Sequence, residues 1–324
     1  MKNDALPAGC EIHDRASGSV QCARSLSDEE CSLLDAYLAR QPDAYLRVFK
    51  TIGSRWDFDL GFLARLPSLR HLDIDANAGD LNDLSPLEFA TDQLCSLSLD
   101  TVSAFSDKKL DRAKENVHVL GRFRQLDKLQ ICGQIPDLGF LFSVNKLRTL
   151  SLWRTKLKSL EGIQAAADLD TLTINWNGSL SLEPVGQLQA LKALELSDSR
   201  NIHGIEHVGK ITSLRRAWFL SCGKEFRMFD PTSLPDLRVV VLHSSTGPKN
   251  IETLARGPNL RCLVISNTPE RLTYSNFEPL FNHPSLREVR ADNVERGVLD
   301  ALSKEQGWKV SSHPNFPADE HLVS

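Results

Sequence analysis

The chain has no surplus of either charge: 38 Lys and Arg stand against 42 Asp and Glu, for a formal net charge of -4. A dedicated nucleic-acid binder shows a clear excess of basic residues, so no nucleic-acid partner is expected. There is no apolar run long enough to span a bilayer, and the stretch Met1 to Asp14 lacks the hydrophobic segment of a secretory signal. The seven cysteines (Cys10, Cys22, Cys31, Cys95, Cys132, Cys222 and Cys262) form no CxxC pair and no regular framework. Scattered thiols in odd number read as reduced cysteines of a cytoplasmic protein. Also missing are a phosphate-cradling glycine loop, a nucleophile elbow and a paired Cys/His ligand set. No enzyme, cofactor or membrane association is therefore expected.

What is present is periodicity. The string Leu-x-x-Leu-x-Leu, with other apolar residues tolerated, begins at Leu69, Leu94, Leu126, Leu147, Leu169, Leu191, Leu214, Leu237, Leu260 and Leu286, in steps of 21 to 32 residues that centre on 22 and 23. LRTLSL at Leu147, LDTLTI at Leu169, LKALEL at Leu191 and LRCLVI at Leu260 are examples. Positions four and six of each unit alternate as a short strand does and point inward. Each buried Leu or Ile stabilises by roughly 1.5–3 kcal/mol, but one unit cannot bury its own face, so stability comes from stacked neighbours. Position nine holds Asn77, Gln134, Thr155, Asn177, Ser199, Cys222, Ser245 and Thr268, with Val102 and Val294 as exceptions. These are ladder residues that bond exposed backbone at the strand end. Cys222 belongs to that ladder and is not read as a nucleophile.

These units resemble the leucine-rich-repeat superfamily, in its short class of about 22 residues, found in bacterial internalins and in eukaryotic phosphatase-regulatory relatives. LSPL at Leu84, LEGI at Leu160, LEPV at Leu182 and IEHV at Ile205 sit where that class places its return-limb turn. The resemblance covers roughly residues 44 to 295. It implies an α/β solenoid, a horseshoe with a parallel concave sheet. Three regions are expected: an N-terminal segment with a capping helix (1–43), the solenoid (44–295), and a C-terminal helix and strand cap with its tail (296–324).

Local signals mark the ends. Ser27-Asp28-Glu29-Glu30 is a capping box that starts a helix through about Arg40, with Cys31, Leu34, Tyr37 and Leu38 on one face. Leu46 and Val48 read as an irregular first strand. Glu295 to Glu305 read as a helix ended at Gly307, with Trp308 and Val310 in a closing strand; the tail from Ser312 is expected to fray. The long step after Leu94 holds an insertion, about Ser106 to Val119, expected to form a solvated helical bulge, with a binding loop as the alternative reading.

His203-Gly204-Ile205-Glu206-His207 matches the inverted zinc-protease string H-x-x-E-H, the basis of an alternative reading as a metal-dependent hydrolase. That chemistry needs both histidines on one helix face. Here the string falls on a return limb, so no metal is expected. Position two carries Arg70, Arg148, Lys192, Arg215, Arg238, Arg261 and Arg287, a basic ridge with a structural role in this class.

Positions three, five and seven point outward along the concave face, with position eight at its margin. In the central repeats they bring together Trp153, Arg154, Asn175, Trp176, Glu195, Asp198, Arg216 and Trp218. Tryptophan is enriched at binding hot spots, and the charges around it can fix a partner's orientation. Leu220, Val239, Val241 and Val264 extend this as an apolar strip. A covering loop or a one-residue register slip would instead hide these residues. The expectation is a monomeric, bacterial, cytoplasmic scaffold that captures one folded protein on its concave face; an inhibitor or immunity protein against a toxin is one form of it.

Overall fold

The computed structural model describes residues 6–50, 56–76, 81, 83–100, 114–175, 178–199, 201–223, 227–244 and 251–313. Two compact units divide the chain, Met1–Leu157 and Lys158–Ser324.

In the first unit, β1 (Cys10–Asp14) and β2 (Ser19–Cys22) form an antiparallel hairpin. Asp14 closes its turn by accepting from the Ala16 N–H at 3.0 Å, and Gly18 takes the left-handed conformation (φ +70°) that the reversal needs. Helix α1 (Asp28–Arg40) follows. The Ser27 side chain accepts from the Glu30 N–H at 3.3 Å while the Glu30 carboxylate accepts from the Ser27 N–H at 2.9 Å, so the expected capping box is complete. Cys31, Leu34 and Leu38 are buried, and Tyr37 donates to the Gly18 carbonyl at 2.8 Å, tying the helix to the hairpin. Strands β3 (Tyr45–Phe49), β4 (His71–Asp75), β5 (Ser96–Asp100), β6 (Lys128–Cys132) and β7 (Thr149–Trp153) then stack in parallel beyond β2.

The second unit repeats the scheme. Strands β8 (Thr171–Asn175), β10 (Ala193–Ser197), β12 (Arg216–Leu220), β13 (Val239–His243), β14 (Cys262–Ser266) and β15 (Glu288–Ala291) are parallel and in register. β9 (Ser179–Ser181) and β11 (Asn201–His203) pair as a small separate sheet on the return limbs. Helix α2 (Val298–Gln306) ends at left-handed Gly307 (φ +69°) and leads into β16 (Lys309–Ser311), which closes against β15. The tail from Pro314 lies outside the described residues.

The alternation sets the core. Leu72 and Ile74, Leu97 and Leu99, Leu150 and Leu152, Leu172 and Ile174, and Ala217 and Phe219 are all buried. Opposite them run 3₁₀ turns such as Ser85–Ala90, Gly139–Ser143, Pro184–Gln187 and Ile205–Lys210. A repeated device starts many of these turns. Asp59, Asp83 and Asp137 each accept from the N–H two residues on (Gly61 2.8 Å, Ser85 2.9 Å, Gly139 2.7 Å), and Ser159 and Ser181 do the same for Glu161 and Glu183. A short polar side chain thereby satisfies a donor that the tight turn leaves over, while the following Leu drops into the core.

Among the described residues, position eight proves to be the corner of its repeat. Arg154, Asp198, Ser221, Ser244, Asn267 and Asn293 all have φ between +48° and +54°, and Gly133 has φ +111°. There the chain leaves the strand, and the N–H of Asp198, Ser221 or Ser244 donates to the position-seven carbonyl of the next repeat at 2.7–2.9 Å. Position nine then works as a ladder. Ser199 donates to the Ser197 carbonyl at 3.1 Å, Thr268 to the Glu270 carbonyl at 2.9 Å, and the Cys222 thiol lies 3.7 and 3.8 Å from the Leu196 and Leu220 carbonyls. Thr155 departs from this pattern, since its buried hydroxyl has no hydrogen-bond partner among the described residues. Asn77, Val102, Asn177, Ser245 and residues 106–113 of the insertion about Ser106 to Val119 lie outside the described residues.

Candidate functional site

In the second unit, in-register pairing turns the outward positions into rows. Position three runs Thr171, Ala193, Arg216, Val239, Cys262, Glu288, and position five runs Thr173, Glu195, Trp218, Val241, Val264, Arg290. The register holds as expected: Trp218 faces outward and its neighbour Phe219 is fully buried. The Arg216 guanidinium sits 5.1 Å from the Trp218 ring centroid, a cation–π arrangement that stiffens both side chains. Glu195 is the in-register neighbour of Trp218. Burial pushes its carboxyl above the usual carboxylate range, and the Arg216 charge pulls the other way. Thr171, Thr173, Glu195, Arg216 and Trp218 line a notch of about 20 Å³, room for one water or the tip of one side chain.

The expected apolar strip is not open surface. Val239, Val241 and Val264 are 1%, 0% and 0% exposed, and with Cys262 they form a buried cluster against which Trp218 packs. Their row neighbours are longer side chains on both sides: Arg216 and Trp218 precede them, Glu288 and Arg290 follow. Glu288 is itself buried, with Arg290 Nε at 3.0 Å and Lys309 Nζ at 3.6 Å. Leu220 is half-buried. Asn175 is held in place by donating to Ser197 Oγ at 2.6 Å, and Asp198 is exposed at a left-handed corner. Trp176 lies outside the described residues.

The first unit places Trp153 at the end of β7 with 40% exposure, and Arg154 at the corner that follows. Its outward face is acidic toward β4 and β5. Asp73, Asp75 and Asp100 are half-buried there, Arg47 pairs with Asp75, and burial raises the Asp73 carboxyl. Cys132, expected outward at position seven, is buried. Phe142, in the turn Gly139–Ser143, is 67% exposed and was not singled out by the repeat pattern. The only hint in the sequence is a third apolar side chain in GFLF, where Phe140 and Leu141 already fill the core.

His203 ends β11, where its Nε2 is 3.1 Å from Ser179 Oγ, whereas His207 lies in the turn Ile205–Lys210 with Nδ1 3.2 Å from Lys210 Nζ. Gly204 between them is left-handed (φ +69°), so the helix that an H-x-x-E-H zinc site requires does not form. Among the described residues no group of three or more His, Cys, Asp or Glu is placed to hold a metal, and no helix is long and apolar enough to cross a membrane. The basic ridge has local work to do. Arg70, Arg238 and Arg287 each donate to the carbonyl three residues back, at Pro67 (2.9 Å), Pro235 (2.7 Å) and Pro284 (2.8 Å). These bonds satisfy carbonyls of the turn that feeds the next strand.

No protein-family model matches the chain, and no curated protein sequence matches it. Solved structures do. The internalin InlF of Listeria monocytogenes aligns with a TM-score of 0.57 at 18% identity, covering 86% of this chain and 77% of that one. A leucine-rich-repeat protein of Leptospira interrogans aligns at 15% identity over 89% and 92% of the two chains, with a TM-score of 0.41. At such identities the likeness concerns the fold. The in-register repeat strands, the 3₁₀ return limbs and the likeness to InlF together establish that this chain has the leucine-rich-repeat solenoid fold.

Proposed function

We propose that this protein is a non-catalytic scaffold that binds a folded protein on the outward face of its repeat strands. In the second unit the contact centres on Glu195, Arg216 and Trp218, with Asn175 and Asp198 beside it. In the first unit Trp153 and Arg154 contribute, and Trp176 is included from its place in the repeat. The observation that carries this reading is the Arg216–Trp218 pair beside a half-buried Glu195. A stiffened aromatic with flanking charges of both signs loses little side-chain entropy on binding and offers both an apolar anchor and oriented polar partners.

In its narrower form the reading is of a monomeric bacterial inhibitor or immunity protein that neutralises a toxin in the cytoplasm. Affinity capture from the source organism's lysate tests the broader claim, comparing the wild type with a Trp153→Ala/Trp176→Ala/Trp218→Ala variant whose circular dichroism matches it. A partner retained by the wild type and lost by the variant supports the site. Equal retention by both moves the contact elsewhere, and Phe142 becomes the next residue to replace. A captured toxin whose activity falls on titration with this protein would establish the narrower form.

A further inference from the structure

The hairpin that opens the first unit brings two cysteines together. Cys10 of β1 and Cys22 of β2 are directly opposed in the antiparallel register, and their Sγ atoms are 2.8 Å apart. Opposed residues of an antiparallel pair have Cα atoms about 4.5–5.5 Å apart, inside the 4.4–6.8 Å range that a disulfide spans. The other thiols are arranged differently. Cys31 donates to the Leu26 and Phe62 carbonyls, Cys222 to ladder carbonyls, and Cys95 to the Gln93 carbonyl. Cys22 is 1% exposed and Cys10 is 8% exposed, so Cys10 is the sulfur nearer solvent. Beside it the Arg24 guanidinium packs over Gly9, so closely that a Cβ there would fall 2.6 Å from Cζ. That guanidinium is held in place by the Glu30 carboxylate, with Nη1 3.0 Å from Oε2 and Nη2 2.5 Å from Oε1. The Cys10 hydrogen bond and burial push the Cys22 thiol up, so the more exposed Cys10 is the sulfur that meets a small disulfide first.

We propose that Cys10 and Cys22 are a redox-active dithiol that closes to a disulfide at the expense of a low-molecular-weight disulfide, clamping β1 onto β2. The Cys10 thiolate attacks one sulfur of the small disulfide, a new S–S bond forms, and the first small thiolate leaves. The Cys22 sulfur then attacks Cys10 Sγ, expelling the second small thiolate. Two protein thiols are oxidised, one small disulfide is reduced to two thiols, and the two protons leave with them. In a reducing cytoplasm the pair stays open; a shift toward oxidised small thiols closes it. The position gives the bond leverage. Among the described residues β1 pairs with β2 alone, and β2 joins β3 through three residue pairs. The ends of a one-dimensional repeat stack are where unfolding starts, so a crosslink there resists fraying.

The test uses the full-length protein, exposed to oxidised glutathione, quenched with N-ethylmaleimide after unfolding, and mapped by mass spectrometry. The expected result is a linked Cys10–Cys22 peptide pair, with the other five cysteines alkylated. Proteolysis within residues 6–26 should slow by at least ~10-fold in the oxidised protein relative to the reduced one. Cys10→Ser and Cys22→Ser should each abolish that difference, and Cys95→Ser should leave it intact. Should either hairpin variant fail to fold, the peptide map of the wild type still decides. Alkylation of both Cys10 and Cys22 after oxidant treatment overturns the proposal. So does a stable glutathione adduct on Cys10 with Cys22 free, or a crosslink between two chains.

Discussion

Phe219 and Trp218 are consecutive residues on opposite faces of β12, and replacing each with alanine separates the core from the binding face. Phe219 is 0% exposed, lies in register between Leu196 and Leu242, and meets the Phe229 ring at 6.1 Å. Truncation removes a whole ring from a site walled by neighbouring repeats that cannot collapse around it. Phe219→Ala should therefore cost about 3–4 kcal/mol, two to three orders of magnitude in the unfolding equilibrium. Trp218 is half-buried and packs against the valine cluster that includes its in-register neighbour Val241, so Trp218→Ala should cost only about 1–2 kcal/mol while removing the proposed anchor. Urea denaturation followed by far-ultraviolet circular dichroism reads the totals. Hydrogen exchange with peptide-level resolution reads the location. Repeats lean on their nearest neighbours, so protection in Phe219→Ala should fall most in β10, β12 and β13 and least in β15. A loss below about 1 kcal/mol, or one larger for Trp218→Ala than for Phe219→Ala, would refute the assignment of faces. A uniform loss of protection from β8 to β16 would refute the nearest-neighbour account.

Ser27→Ala removes one half of the capping box and should lower stability by about 1 kcal/mol, read as an earlier thermal midpoint, with faster proteolysis in α1. Ser221→Gly relieves a left-handed corner (φ +51°) and should be stabilising by about 0.5–1 kcal/mol; a destabilisation would show that the serine hydroxyl matters more than the strain. Burial pushes the Cys132, Cys222 and Cys262 thiols up to about 12, so they should resist iodoacetamide at pH 8 in the folded protein and react on unfolding. The same thiols carry a pH consequence. They ionise near 8.5 in the unfolded chain but near 12 when folded, so their contribution is complete below about pH 8.5 and is lost as pH rises from there toward 12. A denaturation midpoint that stays flat across that range would contradict this account.

All ten repeat strands could be placed from the sequence, because a strand's period of two and a repeat of about 22 are written in adjacent residues. Leu172 and Ile174, or Leu194 and Leu196, point inward whatever lies further along the chain. The Ser27–Glu30 cap was legible because it depends on neighbours three residues apart, and the ladder role of Cys222 because its place in the repeat sets it two residues past Leu220, whose carbonyl its thiol meets. Other features needed the tertiary structure. Val239, Val241 and Val264 read as an exposed strip, yet an outward side chain is covered or bare according to residues of other repeats, here Trp218 and Arg216 on one side and Arg290 and Glu288 on the other. Position eight carries Arg, Asp, Ser or Asn in different repeats, so its common left-handed geometry left no consistent residue type to read. Cys10 and Cys22 lie 12 residues apart with no periodic signal between them, and they meet only because Asp14 and Gly18 reverse the chain. Period and propensity are local and sequence suffices for them; which side chains meet, and which remain open to a partner, is settled only when separate repeats stack.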